Sequence, residues 1–244
     1  MPGDESSPAV SLEGRVALVT GASRGIGAAI ARSLHDAGAR LGLASRSGDD
    51  LGLPGAVAVE CDVRDRAQVQ AAVDATVERH GGLDILVANA GVGAYGPFVD
   101  LPPETADEIV EINLLGTMNV ARAAIPHLVG AKDGADLVTL ASVAGLRGLP
   151  GEAAYCASKF GQVGFTRALD HELREQGVRC TAVEPGGVAT DFAMGAGRTE
   201  NMPELKTMMS PQDVADVVLF VLTRPRGLRI MDVALRPTSE PSAG

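Results

Sequence analysis

Seven short apolar runs alternate along the chain with segments of helical periodicity. An apolar run of about four to eight residues is typical of a strand that is buried on both faces of a parallel sheet. The runs cover residues 14–20, 40–45, 56–63, 83–88, 136–142, 178–183 and 229–235. Their alternation with helical segments predicts an α/β fold with helices packed on both faces of one sheet.

The segments between the runs predict the helices. Segment 65–80 places Val69, Val73 and Val77 on one stripe, as an amphipathic helix does. Pro126 lies inside a long helical segment and predicts a kink there. Ser210 is the expected N-cap of the last helix. The remaining helical patterns cover residues 28–35, 104–129, 153–176 and 211–223.

The first apolar run leads into the glycine-rich segment TGASRGIG at residues 20–27, and an alanine-rich helix follows. Gly21, Gly25 and Gly27 allow a tight turn and a close approach of the backbone to a pyrophosphate. Free N–H groups at the start of the next helix favour an anion at the same place. A strand, a glycine turn and a helix in this order predict a dinucleotide-binding loop.

Tyr155 and Lys159 are four residues apart in a predicted helix, so their side chains share one face. A nearby ammonium favours the phenolate, and we expect it to lower the pKa of Tyr155 from about 10 toward neutrality. A tyrosine tuned in this way can donate a proton to a carbonyl oxygen or accept one from an alcohol. The alternative interpretation is a helix that carries the two residues without a joint role.

These motifs, in this order, resemble those of the short-chain dehydrogenase/reductase (SDR) family over residues 12–238. The matching residues are Thr20, Gly21, Gly25, Ile26 and Gly27 of T-G-x-x-x-G-x-G, Asn89, Ala90 and Gly91 of N-A-G, Asn113 of N-x-x-G, Ser142, Tyr155 and Lys159 of the catalytic set, and Pro185, Gly186 and Thr190 of P-G-x-x-x-T. The resemblance implies a single doubly wound, Rossmann-type domain of three α/β/α layers. Its seven parallel strands are expected in the order 3-2-1-4-5-6-7.

The resemblance also implies roles for individual residues. Ser142 is expected to position the substrate oxygen and Tyr155 to exchange a proton with it. Lys159 is expected to lower the pKa of Tyr155 and to bind the nicotinamide ribose, while Asn113 holds a water against Lys159 through its side chain and backbone carbonyl. The implied cofactor-binding residues are Gly21, Ser23, Arg24, Gly25, Ile26, Gly27, Ser45, Arg46, Asp62, Val63, Asn89, Ala90, Gly91, Tyr155, Lys159, Pro185, Gly186, Val188 and Thr190.

The end of the second strand favours NADP(H) over NAD(H). NAD-dependent enzymes usually carry a carboxylate there for the ribose 2′-hydroxyl, and this chain has Ser45. Arg24 and Arg46 are close in sequence to the same region, and guanidinium groups suit a 2′-phosphate. We therefore expect an NADP(H)-dependent reductase of a ketone or 3-oxo compound. The alternatives are an NAD-linked alcohol or 3-hydroxy acid dehydrogenase and a non-catalytic dinucleotide-binding regulator.

Composition sets limits on partners and location. The 244 residues are 45 % hydrophobic, which fits one domain with a large core. A formal net charge of −10 argues against nucleic acid and anionic membrane surfaces as partners, and no apolar run approaches the roughly 20 residues of a membrane span. Cys61, Cys156 and Cys180 have no metal or disulfide spacing. We expect a cytoplasmic protein without a metal ion.

Residues 1–11 and 239–244 are expected to be tails around a catalytic domain at 12–238, with a substrate loop at 187–210. The pocket should take a small to medium, mostly hydrophobic ketone or alcohol. Tyr95 and Phe98 could contact this substrate or pack in a lid. The same alternatives apply to Met194, Met202, Met208 and Met209. Family analogy implies a homotetramer or homodimer built on the helices at 104–129 and 155–176.

Overall fold

A seven-stranded parallel sheet lies at the centre of the computed structural model, which describes residues 10–240. Its strands are β1 (Val16–Thr20), β2 (Arg40–Ser45), β3 (Val57–Glu60), β4 (Ile85–Ala88), β5 (Ala135–Leu140), β6 (Val178–Pro185) and β7 (Asp232–Leu235). They are hydrogen-bonded in the order 3-2-1-4-5-6-7, and every pairing is parallel. The predicted fold class and strand order are confirmed.

Helices cover both faces of the sheet and bury its apolar side chains. They are α1 (Gly25–Asp36), α2 (Arg66–His80), α3 (Pro103–Val110), α4 (Gly116–Val129), α5 (Ala153–Leu173) and α6 (Pro211–Leu222). On one face, α1 and α6 share a core that contains Ile30 and Val218. On the other, α2, α4 and α5 contribute Val73, Val120 and Leu169 to a second core. The sheet is thus the middle of three layers.

The predicted helix at 104–129 is divided by a π turn, Glu111–Leu115, between α3 and α4. The N–H of Gly116 bonds to the carbonyl of Glu111, five residues earlier. Pro126 lies within α4, which continues to Val129. The helix thus departs from α geometry at the π turn, because one extra residue in a turn interrupts the i→i−4 ladder.

Both described ends of the chain pack on the domain. The N–H of Val10 donates to the carbonyl of Thr223 at 2.8 Å. The Ser239 hydroxyl donates to the carbonyl of Thr207 at 2.9 Å, and Glu240 Oε1 accepts from the N–H of Gly187 at 2.6 Å. Of the tails predicted at 1–11 and 239–244, residues 1–9 and 241–244 lie outside the described residues. The rest belongs to the packed domain because its polar groups find partners there.

Buried charges hold together the amino end of the sheet. The carboxylate of Asp136, at the start of β5, accepts from Arg179 Nε at 2.7 Å and from Arg226 Nη1 at 2.8 Å. Arg15 approaches the same carboxylate at 3.7 Å. Asp136 is 2 % exposed and Arg179 6 %, so solvent screens this network weakly. The opposite, carboxyl end of the sheet is where the loops of the candidate site lie.

Two absences hold for residues 10–240. No helix in this range has the length and apolar character needed to cross a membrane. Nor does any group of three or more His, Cys, Asp and Glu side chains stand where it could hold a metal ion. Cys61, Cys156 and Cys180 are buried free thiols.

Candidate active site

A cavity of ≈ 810 Å³ opens at the carboxyl ends of the strands, where ligands bind in open α/β sheets. All of the predicted cofactor-binding residues line it. Ser142, Tyr155 and Lys159 line it as well. Asn113, the fourth predicted catalytic residue, is fully buried behind the cavity wall and does not line it.

The glycine loop brings backbone close to backbone. Gly21 and Gly25 have positive φ angles of 64° and 56°, which a residue with a side chain rarely adopts. A Cβ on Gly27 would collide with the carbonyl oxygen of Gly21 and lie 2.5 Å from Asn89 Nδ2. At the start of α1, Arg24 occupies the N-cap position and its side chain makes no capping hydrogen bond. The first N–H groups of α1 thus receive no cap from the Arg24 side chain. They border the cavity and suit a pyrophosphate there.

Hydrogen bonds between β1 and β4 keep the loop in place. Thr20 Oγ1 accepts from the N–H groups of Asn89 and Ala90, each at 3.1 Å. Asn89 Nδ2 donates to the carbonyl of Thr20 at 2.9 Å. The threonine before the glycine loop and the asparagine of N-A-G therefore tie together two loops that border the cavity.

The end of the cavity beside β2, where the cofactor ribose is expected, carries side chains of both charges. Ser45 is buried at the end of β2, while Arg24 and Arg46 are exposed at the cavity mouth. A hydrogen bond from Arg64 is the main cause that lowers the pKa of Asp62, and the charge of Arg46 lowers this pKa further. Sequence reasoning missed Ser47 and Asp49, which line the same region.

Tyr155 lies between two aromatic rings in the cavity wall. Its ring centroid is 6.2 Å from that of Tyr95 and 5.8 Å from that of Phe192. Burial raises the pKa of Tyr155 above its usual range, and a hydrogen bond with Ser142 offsets only part of this effect. The predicted fall in this pKa is therefore wrong for this structure, because desolvation of the packed ring outweighs any influence of Lys159.

Lys159 is buried on the same face of α5, with Nζ 5.6 Å from the centroid of the Tyr155 ring. Nζ donates to the carbonyl of Leu140 at 2.9 Å and to Gln162 Oε1 at 2.8 Å. Burial lowers the pKa of Lys159 to about 7. Because this value lies near neutrality, small changes around Nζ decide whether the ammonium or the amine is present.

Asn113 is held by its side chain in the middle of the π turn. Its Oδ1 accepts from the N–H of Val92 at 2.8 Å, and its Nδ2 donates to the carbonyl of Val92 at 2.9 Å and to Ser158 Oγ at 3.0 Å. The side chain thus fastens the loop after β4 to α5. Its backbone carbonyl accepts from Thr117 Oγ1 at 2.7 Å and from Gln162 Nε2 at 2.8 Å.

The far end of the cavity combines apolar and charged side chains. Met202 and Met208 line it, whereas Met209 packs in the core shared by α1 and α6. Phe98 is 60 % exposed and does not line the cavity. Phe192 and Arg198 line it too and lie in the substrate loop predicted at 187–210, although neither was singled out. Glu152 and Glu240 complete this end, and Glu240 is the one of these residues that sequence reasoning missed, because no motif marks it.

Gln162, in contact with Lys159, was also missed. A glutamine in a helix is usually taken for a surface residue, yet this side chain is fully buried. One signal in the sequence could have indicated its role. Gln162 follows Lys159 by three residues, so a helix places the two side chains on one face.

Comparison with known proteins agrees with the fold. The family model for short chain dehydrogenase matches residues 15–201. The chain is 41 % identical over 208 residues to oxidoreductase UcpA of Salmonella typhimurium, covering 82 % of this chain and 79 % of that protein.

Two solved structures are similar to the whole domain. An alcohol dehydrogenase from the archaeon Thermococcus sibiricus, complexed with 5-hydroxy-NADP, has a TM-score of 0.84 and 29 % identity over 94 % of this chain and 99 % of that one. A 3-ketoacyl-(acyl-carrier-protein) reductase from Brucella melitensis, complexed with NADH, has a TM-score of 0.84 and 31 % identity over 93 % of this chain and 99 % of that one. The protein belongs to the short-chain dehydrogenase family and is an oxidoreductase with a Rossmann fold that binds a nicotinamide dinucleotide.

Proposed function

We propose that the protein interconverts a carbonyl compound and a secondary alcohol with NADP(H), with Tyr155 as the acid and base. The observation that carries the proposal is the meeting of Ser142, Tyr155 and Lys159 in the cavity that the glycine loop borders. Reduction of a ketone or 3-oxo compound is the preferred direction, because cells commonly keep the NADP pool reduced.

When bound, the nicotinamide supplies a hydride to the carbonyl carbon or accepts one from the alcohol. Ser142 and Tyr155 both present hydroxyl groups to one substrate oxygen, where negative charge develops during reduction. Tyr155 donates its proton to that oxygen, and in the reverse direction it accepts the proton. The Lys159 ammonium would offset part of the cost that burial between Tyr95 and Phe192 imposes on the phenolate.

The cofactor would be held along the whole cavity. The N–H groups at the start of α1 suit the pyrophosphate, and Asp62 and Val63 border the adenine side. Pro185, Gly186, Val188 and Thr190 line the cavity and would face the nicotinamide. The two similar structures contain different dinucleotides, so the preference for NADP(H) rests on Arg24 and Arg46.

A binding experiment tests the cofactor preference. We expect NADPH, followed by its fluorescence, to bind about tenfold or more tightly than NADH, and Arg46→Ala to remove most of the difference by weakening NADPH alone. Arg32→Ala is the matched control, because Arg32 is exposed on α1 and does not line the cavity. Tighter binding of NADH by the unmodified protein would support the NAD-linked alternative instead.

A turnover experiment tests the chemistry. We would screen apolar ketones and 3-oxo esters, chosen for a cavity with Met202, Met208 and Phe192 in its wall, for NADPH oxidation. Tyr155→Phe should lower kcat by about 100-fold or more and leave the Kd of NADPH within about threefold. Intact cofactor binding without turnover of any ketone or alcohol would favour the non-catalytic regulator.

We also propose that the protein assembles as a homodimer or homotetramer through α4 and α5. Phe160, on α5, is 46 % exposed, and Leu115, at the end of the π turn before α4, is 47 % exposed, which supports this assignment. Light scattering should give two or four times the 25.0 kDa chain mass, and Phe160→Glu should reduce it. An unmodified protein at the mass of one chain would contradict the assignment. The net charge of −10 supports the expectation that the protein binds no nucleic acid, and the cysteine pattern supports that of a cytoplasmic protein.

A further inference from the structure

We propose that Gln162 is a positioning residue for Lys159, and that its side-chain amide directly bridges the Asn113 backbone carbonyl and the Lys159 ammonium. The amide takes the place where a water was expected. It holds Nζ of Lys159 beside the Tyr155 ring and favours the charged form of the lysine. The inference rests on the proposed function only in the role that it gives to Lys159.

The hydrogen bonds of Gln162 leave one orientation for its amide. Nε2 donates to the Asn113 carbonyl at 2.8 Å and lies 2.7 Å from Thr117 Oγ1. The Thr117 hydroxyl already donates its proton to that same carbonyl at 2.7 Å, so it can only accept from Gln162. The NH₂ group therefore faces Asn113 and Thr117, and Oε1 faces Lys159 Nζ at 2.8 Å.

The bridge joins two separate elements. Lys159 and Gln162 are three residues apart on one face of α5. Asn113 lies in the π turn and Thr117 in the first turn of α4. Since Gln162 and Asn113 are both fully buried, water does not compete for these bonds. The π turn is thus connected to the Lys159 side chain through protein atoms alone.

The surroundings of Lys159 make a neutral acceptor important. Tyr155 is the titratable side chain that faces Nζ, and β5 contributes the carbonyl of Leu140. A separate cluster of charged residues lies two helical turns further along α5. There Arg167 of α5 meets Asp232 of β7 and Glu184 of β6. Two oxygen acceptors, from Leu140 and Gln162, thus compensate for burial of the ammonium.

The amide also differs from water in what it can transfer. An amide nitrogen does not take up or release a proton near neutral pH, whereas water does both. The bridge therefore fixes the position of Lys159 without conducting a proton to the Asn113 carbonyl. Any proton that replaces the one lost from Tyr155 must reach it by another route, such as the open cavity.

The lysine content of the chain permits a direct test on the protein without cofactor. The sequence has three lysines, and Lys132 and Lys206 are exposed. NMR of protein labelled with [ε-¹³C]lysine should show one signal that titrates near pH 7, and Lys159→Arg identifies it by its loss. Gln162→Met keeps the side-chain volume but removes the acceptor, and it should lower the pKa of Lys159 by about one unit.

Gln162→Glu supplies the decisive comparison. It keeps an acceptor beside Nζ and adds a negative charge, so it should raise the pKa of Lys159 by about one unit or more. Opposite shifts in the two variants would support the bridge, because a residue needed only for packing would not produce them. If Gln162→Met does not fold, the rise of the Lys159 pKa in Gln162→Glu decides by itself. Changes in the Lys159 pKa of less than about 0.3 units would overturn the proposal.

Thr166→Val is the matched control. Thr166 is buried one turn further along α5 and bonds to Thr139 and to the carbonyl of Gln162, so its loss should lower stability without moving the Lys159 signal. Because the titration needs no turnover, a failed bridge is distinguished from a failed enzyme assignment. With an active substrate, the basic limb of the kcat profile should move in the same direction as the Lys159 pKa, at nearly constant KM.

Discussion

Gly27 shows how little room a single side chain has in the cofactor loop. It is buried at the start of α1, and a Cβ there meets both the Gly21 carbonyl and Asn89 Nδ2. Gly82, by contrast, has open space around its Cβ position. The two glycines therefore differ in what an added methyl group would do.

We expect Gly27→Ala to reduce the free energy of unfolding by about 1–3 kcal/mol, because the added methyl group overpacks the loop. It should also weaken NADPH binding at least about tenfold by displacing the N–H groups of α1. Gly82→Ala is the control and should leave both quantities nearly unchanged. Chemical denaturation and fluorescence titration measure the two effects, and equal behaviour of the two variants would contradict the geometry.

At this scale, motif residues could be predicted and their environments could not. All of the residues predicted to bind the cofactor line the cavity, since each lies in or beside a local motif. The pKa of Tyr155 depends on burial by Tyr95 and Phe192, which come from distant loops. Gln162 was missed because two of its three partners, Asn113 and Thr117, lie on other elements. Properties that depend on long-range packing could therefore not be predicted from the sequence.

On the scale of elements, β6, β7 and α5 meet at a cluster of charged side chains. Glu184 on β6 is fully buried, and Asp232 on β7 accepts from Arg167 Nε at 3.0 Å. Burial, followed by the nearby charge of Asp232, raises the pKa of Glu184 to about 7. The native state therefore keeps a proton on Glu184 at a pH where the unfolded chain has lost it.

This difference predicts a specific pH dependence. As the pH rises from about 4.5 to about 7, the native state binds more protons than the unfolded state, so the contribution of Glu184 to stability falls. We expect Glu184→Gln to gain about 1–3 kcal/mol over the natural protein between pH 5 and pH 8 in urea unfolding. Glu172→Gln, at an exposed position of α5, is the control. A pH-independent difference would exclude this protonation.

Element boundaries show why some local structure was not predictable. The edge strand β7 is Asp232–Leu235, shorter than the predicted 229–235, because apolar character continues beyond the residues that pair with β6. The π turn was also missed, since a single wide turn hardly changes the apolar pattern of a long helix. In contrast, Ser210 marked the start of α6 in the sequence, and the structure shows that it forms a capping box with Asp213.

Across the whole molecule, the amino end and the carboxyl end of the sheet have different roles. Asp136 and its arginine partners join strands and loops at the amino end, and the cavity opens at the carboxyl end. The fold itself was predictable because seven apolar runs and one glycine loop fix the order of strands and helices. The charge network was not, since its members are far apart in the chain.

The separation of the two ends predicts that stability and binding respond independently. Asp136→Asn leaves buried arginines without their counter-charge and should lower the free energy of unfolding by about 3–5 kcal/mol. For the folded fraction of the variant at 10 °C, the Kd of NADPH should stay within about twofold of the natural value. Asp74→Asn, at an exposed position of α2, is the control with little effect. Loss of cofactor binding in folded Asp136→Asn would show that the two ends are coupled.

The amino end of α1 predicts a link between the lifetime of the protein and nucleotide supply. Arg24 does not cap this helix end with its side chain, so a bound dinucleotide would satisfy N–H groups that otherwise need water. A ligand at about 100 times its Kd adds about 2.7 kcal/mol to the free energy of unfolding. Cells depleted of that dinucleotide would hold more of the chain in open forms, which proteases degrade. The abundance of the enzyme would then follow the size of the pool that it uses.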